Sequence, residues 1–179
     1  KRSVLVIDPK GENARIAGEA RRRFGTVHVL DPFEVSGHPS SAYNPLDRLT
    51  PDSLDLGEDA ASLTEALVMD PPGQVTEAHW NEEAKAIRFL GKADREAASV
   101  LSNAQRHTHF LDSPRIAKCL ARSDFAFSDL RQRITSVFLV LPPNRMDAYS
   151  RWLRLLVSQA LQDIARDAER PQSASEGQS

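Results

Sequence analysis

The sequence predicts an α/β fold in which a parallel-sheet core is built from both ends of the chain, with an all-α region inserted between them. Three observations carry this prediction. Residues 3–7 (SVLVI), 26–30 (TVHVL) and 136–141 (SVFLVL) are short, β-branched-rich runs that lack polar alternation, as strands covered on both faces do. Each run is halted at a proline, in Asp8-Pro9, Asp31-Pro32 and Pro142-Pro143. Between about residues 58 and 130 the chain carries helical periodicity instead.

In chain order, the first strand leads into a helix over 11–23, with Ile16, Ala17 and Ala20 on one face and Arg15, Glu19 and Arg22 on others. The strand at 26–30 completes a strand–helix–strand unit, whose crossover is almost always right-handed. Residues 33–57 are rich in Pro, Ser, Gly and Asp and read as a long surface loop, of the kind that usually carries function. A helix over 57–69 is closed by Asp70-Pro71-Pro72-Gly73, and another over 76–90 places Trp80 and Ala84 on one side. Residues 94–111 are the most regular helical stretch, with Ala97, Val100, Leu101, Ala104, Thr108 and Leu111 on one face. Asp112-Ser113 caps a short helix over 114–121, with Pro114 in its first turn. After the third strand the longest helix spans 146–168. Its apolar stripe is Tyr149, Trp152, Leu153, Leu156, Ala160, Leu161 and Ile164, with Arg151, Arg154, Ser158, Gln162 and Arg166 outside. The Ser/Gln-rich tail is expected to be disordered. The chain therefore divides into 1–57, the first part of the sheet domain; 58–130, the all-α insert; 131–168, the return to the sheet domain; and the tail at 169–179.

A length of 179 residues suits one ordinary domain, and 40% apolar with 27% charged residues is the composition of a globular protein. No apolar run approaches the ~20 residues that span a bilayer, and nothing reads as a signal peptide. With no initiator Met, the chain is expected to be an internal piece. A net charge of -2 excludes a globally basic nucleic-acid binder and leaves room for local basic faces. Cys119 is the single cysteine, which excludes an internal disulfide and a cysteine-rich metal site. His107 and His109, two apart on a helix, do not face one another, so no metal site is expected.

Two stretches exceed what the fold requires. Asp8-Pro9-Lys10-Gly11-Glu12 follows a buried strand, where parallel sheets build ligand sites. Tyr43-Asn44-Pro45-Leu46-Asp47 lies in the long loop. On the residues alone, Asp8 either ends its strand beside a phosphate-bearing ligand or starts a turn, and Lys10 faces either a phosphate or solvent. Glu12 suits a first helical turn. Tyr43, Asn44 and Asp47 either line an interface or pocket or belong to an Asn-Pro turn. Arg95, Arg106, Arg115, Lys118 and Arg122 make the helical region locally basic, diluted by Asp94, Glu96, Asp112 and Asp124. They form either a nucleic-acid contact or a solvated face.

Taken in order, five stretches resemble the TraG-like coupling proteins of conjugation and type IV secretion. They are DPKGE, Asp31-Pro32-Phe33, YNPLD, Phe110-Leu111-Asp112-Ser113-Pro114, and Val137-Phe138-Leu139-Val140-Leu141-Pro142-Pro143 followed by Arg145. The resemblance runs to about residue 168; DPKGE with YNPLD is its specific part, since DPK alone is shared with chromosome-segregation DNA translocases. It implies a RecA-like core, here partial, from a hexameric motor anchored at the cytoplasmic face of the bacterial inner membrane. That motor couples ATP hydrolysis, with Mg²⁺, to passage of DNA and its relaxase into the secretion channel. The partners implied are relaxase and other relaxosome proteins, single-stranded DNA, channel components and further copies of the same chain. Asp8 would then be catalytic, at a Mg²⁺-bound water, and Lys10 nucleotide-binding. The five basic residues would contact substrate or DNA.

Two departures from the family stand out. The phosphate loop G-x-x-x-x-G-K-[ST] and the acidic Walker B strand are absent from the chain, so ATP and Mg²⁺ belong to the intact protein, and this chain alone is expected to bind neither. Glu83-Ala84-Lys85-Ala86 also runs straight into Ile87-Arg88-Phe89, where the family has a longer helical stretch. Two alternatives stay open. One is a non-catalytic binding module or degenerate remnant that grips relaxase or DNA. The other is a chromosome-segregation translocase, against which the YNPLD loop and the helical insert count.

Overall fold

The computed structural model describes residues 2–68 and 105–169. The expected helix over 76–90, most of that over 94–111, the junction at 86–87, Arg95 and the tail lie outside them. The three apolar runs form β1 (Val4–Ile7), β2 (Thr26–Leu30) and β3 (Thr135–Leu139), all parallel and in one sheet. The architecture is mixed α/β, as the sequence predicts.

The strand order is β1-β3-β2, so the strand–helix–strand unit spans a gap that the last strand fills. β3 takes the centre because it can be covered on every side: all five of its residues are buried. β1 is half-buried instead, with Ile7 49% exposed, which corrects the expectation of a strand covered on both faces. No strand pairs with its outer edge among the described residues.

Helix α1 (Glu12–Arg22) covers one face of the sheet, where Ala14 packs with Val27, Val29, Phe138 and Val140. The other face carries the larger core. There Val137, Leu139 and Leu141 meet α2 (Leu56–Val68), α3 (Pro114–Leu120) and α5 (Met146–Glu169), with the short α4 (Asp129–Gln132) beside them. The alternation of β3 side chains between two helix-bearing faces makes three layers. At the mouth of β2 the chains run flush: a Cβ on Gly25 would sit 1.8 Å from the Ile134 carbonyl oxygen, which accepts from Thr26 N–H.

Helix α5 buries Trp152, Leu155, Leu156, Gln159 and Ala160, at the three- and four-residue spacing of an inward face. Leu161, read as part of that stripe, is 61% exposed, and Leu155 takes the inner place. Arg154, read as outward, donates from Nε to the Ala66 carbonyl (2.9 Å) and from Nη2 to that of Leu67 (3.2 Å). It thus satisfies carbonyls that the last turn of α2 leaves open.

Candidate functional site

The turn after β1 is held by its aspartate. Asp8 is buried; Oδ2 accepts from Ala14 N–H (2.8 Å) and Oδ1 from the Asn13 amide (3.4 Å). Its own N–H donates to the Leu139 carbonyl, tying the turn to β3. The carboxylate therefore closes the first turn of α1, whose free N–H groups and dipole favour a negative charge. Gly11 has a φ of 66°, and a Cβ there would lie 2.9 Å from Ser36 Cα and N. Lys10 is exposed. Two of the roughly four lone-pair positions on Asp8 remain unused.

The turn after β2 repeats the device. Asp31 is fully buried, Oδ2 accepts from Ser36 N–H (2.6 Å), and its own N–H donates to Ser40 Oγ (2.9 Å). Oδ1 is buried with no hydrogen-bond partner. Since Ser36 packs on Gly11, and His38 Nε2 lies 3.2 Å from the Ala14 carbonyl, the turns after β1 and β2 touch at the carboxyl end of the sheet.

Beside Asp31 opens a cleft of ≈650 Å³, walled by the 37–42 segment on one side and by Arg115, Lys118, Cys119 and Arg122 on the other. Three of the five basic residues singled out in the sequence thus meet in one place. Arg106 does not join them: it is exposed, its carbonyl accepting from Arg151. Arg95 lies outside the described residues. Arg115 Nη1 is 3.8 Å from Glu34 and donates to the Pro32 carbonyl (3.4 Å). Arg122 binds Asp124 through Nε (2.9 Å) and Nη2, and Asp124 Oδ2 in turn accepts from Ala42 N–H (2.8 Å). Burial pushes the Cys119 thiol up to about 12, so it holds almost no thiolate at neutral pH. Among the described residues no group of three His, Cys, Asp or Glu side chains is placed to hold a metal ion.

In YNPLD, Asn44 Oδ1 accepts from Leu46 N–H (3.0 Å) and its amide donates to Asp47 Oδ1 (2.8 Å), forming a capped 3-10 turn over Pro45–Arg48. Tyr43 is buried against Phe125 and Phe127; burial, with the Asp163 carboxylate, raises its pKa. The residue that sequence reasoning missed is Arg48, directly after this motif. Arg48 reaches Asp59 Oδ1 and Asp163 Oδ1, both at 3.0 Å, and donates to Gln159 Oε1 (3.1 Å) and Gln162 Oε1 (3.2 Å). Arg166 pairs with Asp59 from α5. Its hydrogen bonds hold the Asp59 carboxyl below the usual carboxylate range, whereas burial pushes that of Asp163 up. This network borders a second cleft of ≈410 Å³. The available signal was Asp59 leading the buried stripe Asp59, Leu63, Ala66, a charge where the period demands an apolar residue.

No helix among the described residues is long and apolar enough to cross a membrane. No curated protein matches the chain. The family described as type IV secretory system conjugative DNA transfer matches residues 1–89 and 83–175, two pieces that overlap where the sequence suggests a missing stretch. The match takes in all three strands, both aspartate turns, the YNPLD loop and the basic cleft, and the chain belongs to the type IV secretory system conjugative DNA transfer family.

Proposed function

We propose that this chain serves in a type IV secretion coupling protein, linking the DNA–relaxase substrate to the secretion channel in an intact protein that drives transfer by ATP hydrolysis. The family match along both halves of the chain carries this reading. The three-stranded parallel sheet, with its two aspartate turns at one end, supports a partial RecA-like core, because open α/β sheets bind ligands at the carboxyl ends of their strands. On this reading residues 58–130 belong to an inserted all-α region that meets relaxase and single-stranded DNA. The intact protein is a homo-hexamer at the cytoplasmic face of the bacterial inner membrane. Asp8 would face the nucleotide and its Mg²⁺ through the lone pairs its turn leaves unused, with Lys10 beside it. The basic residues Arg95, Arg106, Arg115, Lys118 and Arg122 would contact substrate or DNA.

Deleting the gene in donor cells tests this. DNA transfer is expected to be lost while relaxase nicking at the transfer origin persists, and the wild-type gene is expected to restore transfer. Undiminished transfer in the deletion strain would overturn the proposal.

A further inference from the structure

The segment after β2 crosses the carboxyl end of the sheet from one face to the other: Phe33 packs into the larger core and Val35 into the smaller. Between them, Glu34 is the one non-glycine residue with a left-handed backbone (φ 59°) among the described residues. Glycine adopts that conformation freely, whereas a glutamate holds it only under strain. The segment carries a second unfavourable feature. Asp31 accepts from Ser36 N–H through Oδ2 and leaves Oδ1 buried with no donor. A stretch with both features persists only where its surroundings hold it.

It is held from two sides. From α3, Arg115 Nη1 donates to the Pro32 carbonyl (3.4 Å) and lies 3.8 Å from the Glu34 carboxylate. Both of these contacts are long, and the ion pair is more than half exposed on each side, so this hold is weak. The hold from α1 is close. A Cβ on Gly11 would lie 2.9 Å from Ser36 Cα and N, and His38 Nε2 lies 3.2 Å from the carbonyl of Ala14, whose N–H is bound by Asp8. The segment therefore fits tightly against the first turn of α1 and is latched loosely to α3. When the latch opens, Glu34 can leave its left-handed backbone, water can reach Asp31 Oδ1, and the turn around Asp8 and Gly11 loses its wall.

We propose that residues 34–38 form a strap, latched by Arg115, that transmits a change at α3 to the Asp8 turn. The purpose of the strap, though not its mechanics, rests on the reading above, in which α3 belongs to the substrate-meeting region and Asp8 faces the nucleotide. Whatever draws Arg115 away from Glu34 then loosens the nucleotide end of the sheet.

Amide hydrogen exchange of the 179-residue chain, followed residue by residue, tests this. The Ala14 and Arg15 amides close the first turn of α1 on Asp8 and Gly11, and they are expected to exchange by local opening, faster than those of β3. Arg115→Gln removes the latch and should speed them about fivefold, the worth of one hydrogen bond. Glu34→Gly added to Arg115→Gln relieves the left-handed strain, so the strap stays closed without its latch and exchange returns to within about twofold of wild type. Arg131→Gln, which breaks the pair with Asp167 between α4 and α5, should leave these amides unchanged. Unchanged exchange in Arg115→Gln, an equal rise in Arg131→Gln, or no recovery in the double variant would each overturn the strap. So would Ala14 and Arg15 amides that open only together with β3. A failed exchange test, with transfer still dependent on the gene, would remove the strap and leave the coupling function standing. A passed test with transfer independent of the gene would do the reverse.

Discussion

Asp8 and Asp31 look alike in sequence, each ending a strand before proline, yet their carboxylates are spent differently. Both oxygens of Asp8 are engaged at the start of α1, whereas Asp31 keeps one idle. Asp8→Ala is expected to cost about 1 kcal/mol in urea unfolding, the usual worth of a helix cap. Asp8→Asn retains one acceptor for Ala14 N–H and should cost less. If Asp8 also serves the nucleotide in the intact protein, Asp8→Asn lowers ATP turnover at least tenfold there; turnover that merely follows stability would mark Asp8 as a cap only. Gly11→Ala meets two obstacles, a left-handed backbone and the Ser36 main chain, and is expected to cost about 1–3 kcal/mol. An unfolding midpoint equal to wild type would show that the 36–38 segment moves aside freely. The need for glycine after Asp-Pro-Lys was not legible in the sequence, because the obstructing residue arrives from 25 positions further along.

Among the elements, β2 holds a histidine where the apolar run expects an aliphatic. His28 stacks on Phe125, ring centroids 4.5 Å apart, and burial lowers its pKa below the usual 6.5, outweighing the pull of Asp129 and Asp124. The unfolded chain then binds the proton at higher pH than the folded one, so stability is full above about 6.5 and falls as pH drops through the folded value. Urea midpoints measured between pH 7 and pH 5 should fall for wild type, and the fall should shrink in His28→Phe, which keeps the ring stack. An unchanged pH dependence in that variant would place the titration elsewhere. Between elements, Arg48 joins the YNPLD turn to α2 and α5 through two buried or half-buried carboxylates. Arg48→Met leaves Asp163 without its principal partner and Asp59 with Arg166 alone, and is expected to cost about 3–5 kcal/mol, as removing one member of a buried ion pair does. A loss below about 1 kcal/mol would mean that Arg166 carries the network alone. Helices α1, α2, α3 and α5 were legible from the sequence, but the charges inside their stripes were not, because a period reports which face is buried and not what compensates a charge there.

For the whole molecule, the three strands share one sheet, as their continuous apolar runs indicate, but their order places the last strand between the first two. The phosphate loop is missing from this assembly, so titration of the 179-residue chain with ATP and Mg²⁺ is expected to give no heat at micromolar concentrations. Micromolar binding would locate the nucleotide site within these residues and overturn the assignment of ATP to the intact protein alone.

By itself, the sequence determined the α/β class, the presence of the three strands, the longest helix and the family, because each rests on short-range pattern: apolar runs, helical period and contiguous motifs; the third strand, read to Leu141 at the proline stop, ends at Leu139. Only the tertiary structure decided that Arg115, Lys118 and Arg122 line a cleft with Asp31 while Arg106 does not, and that Arg48, Asp59, Asp163 and Arg166 meet in one network. Those residues lie up to 118 positions apart, from Arg48 at one end of the network to Arg166 at the other. Charge complementarity is a function of distance in space, and a linear chain records that distance only after it has folded.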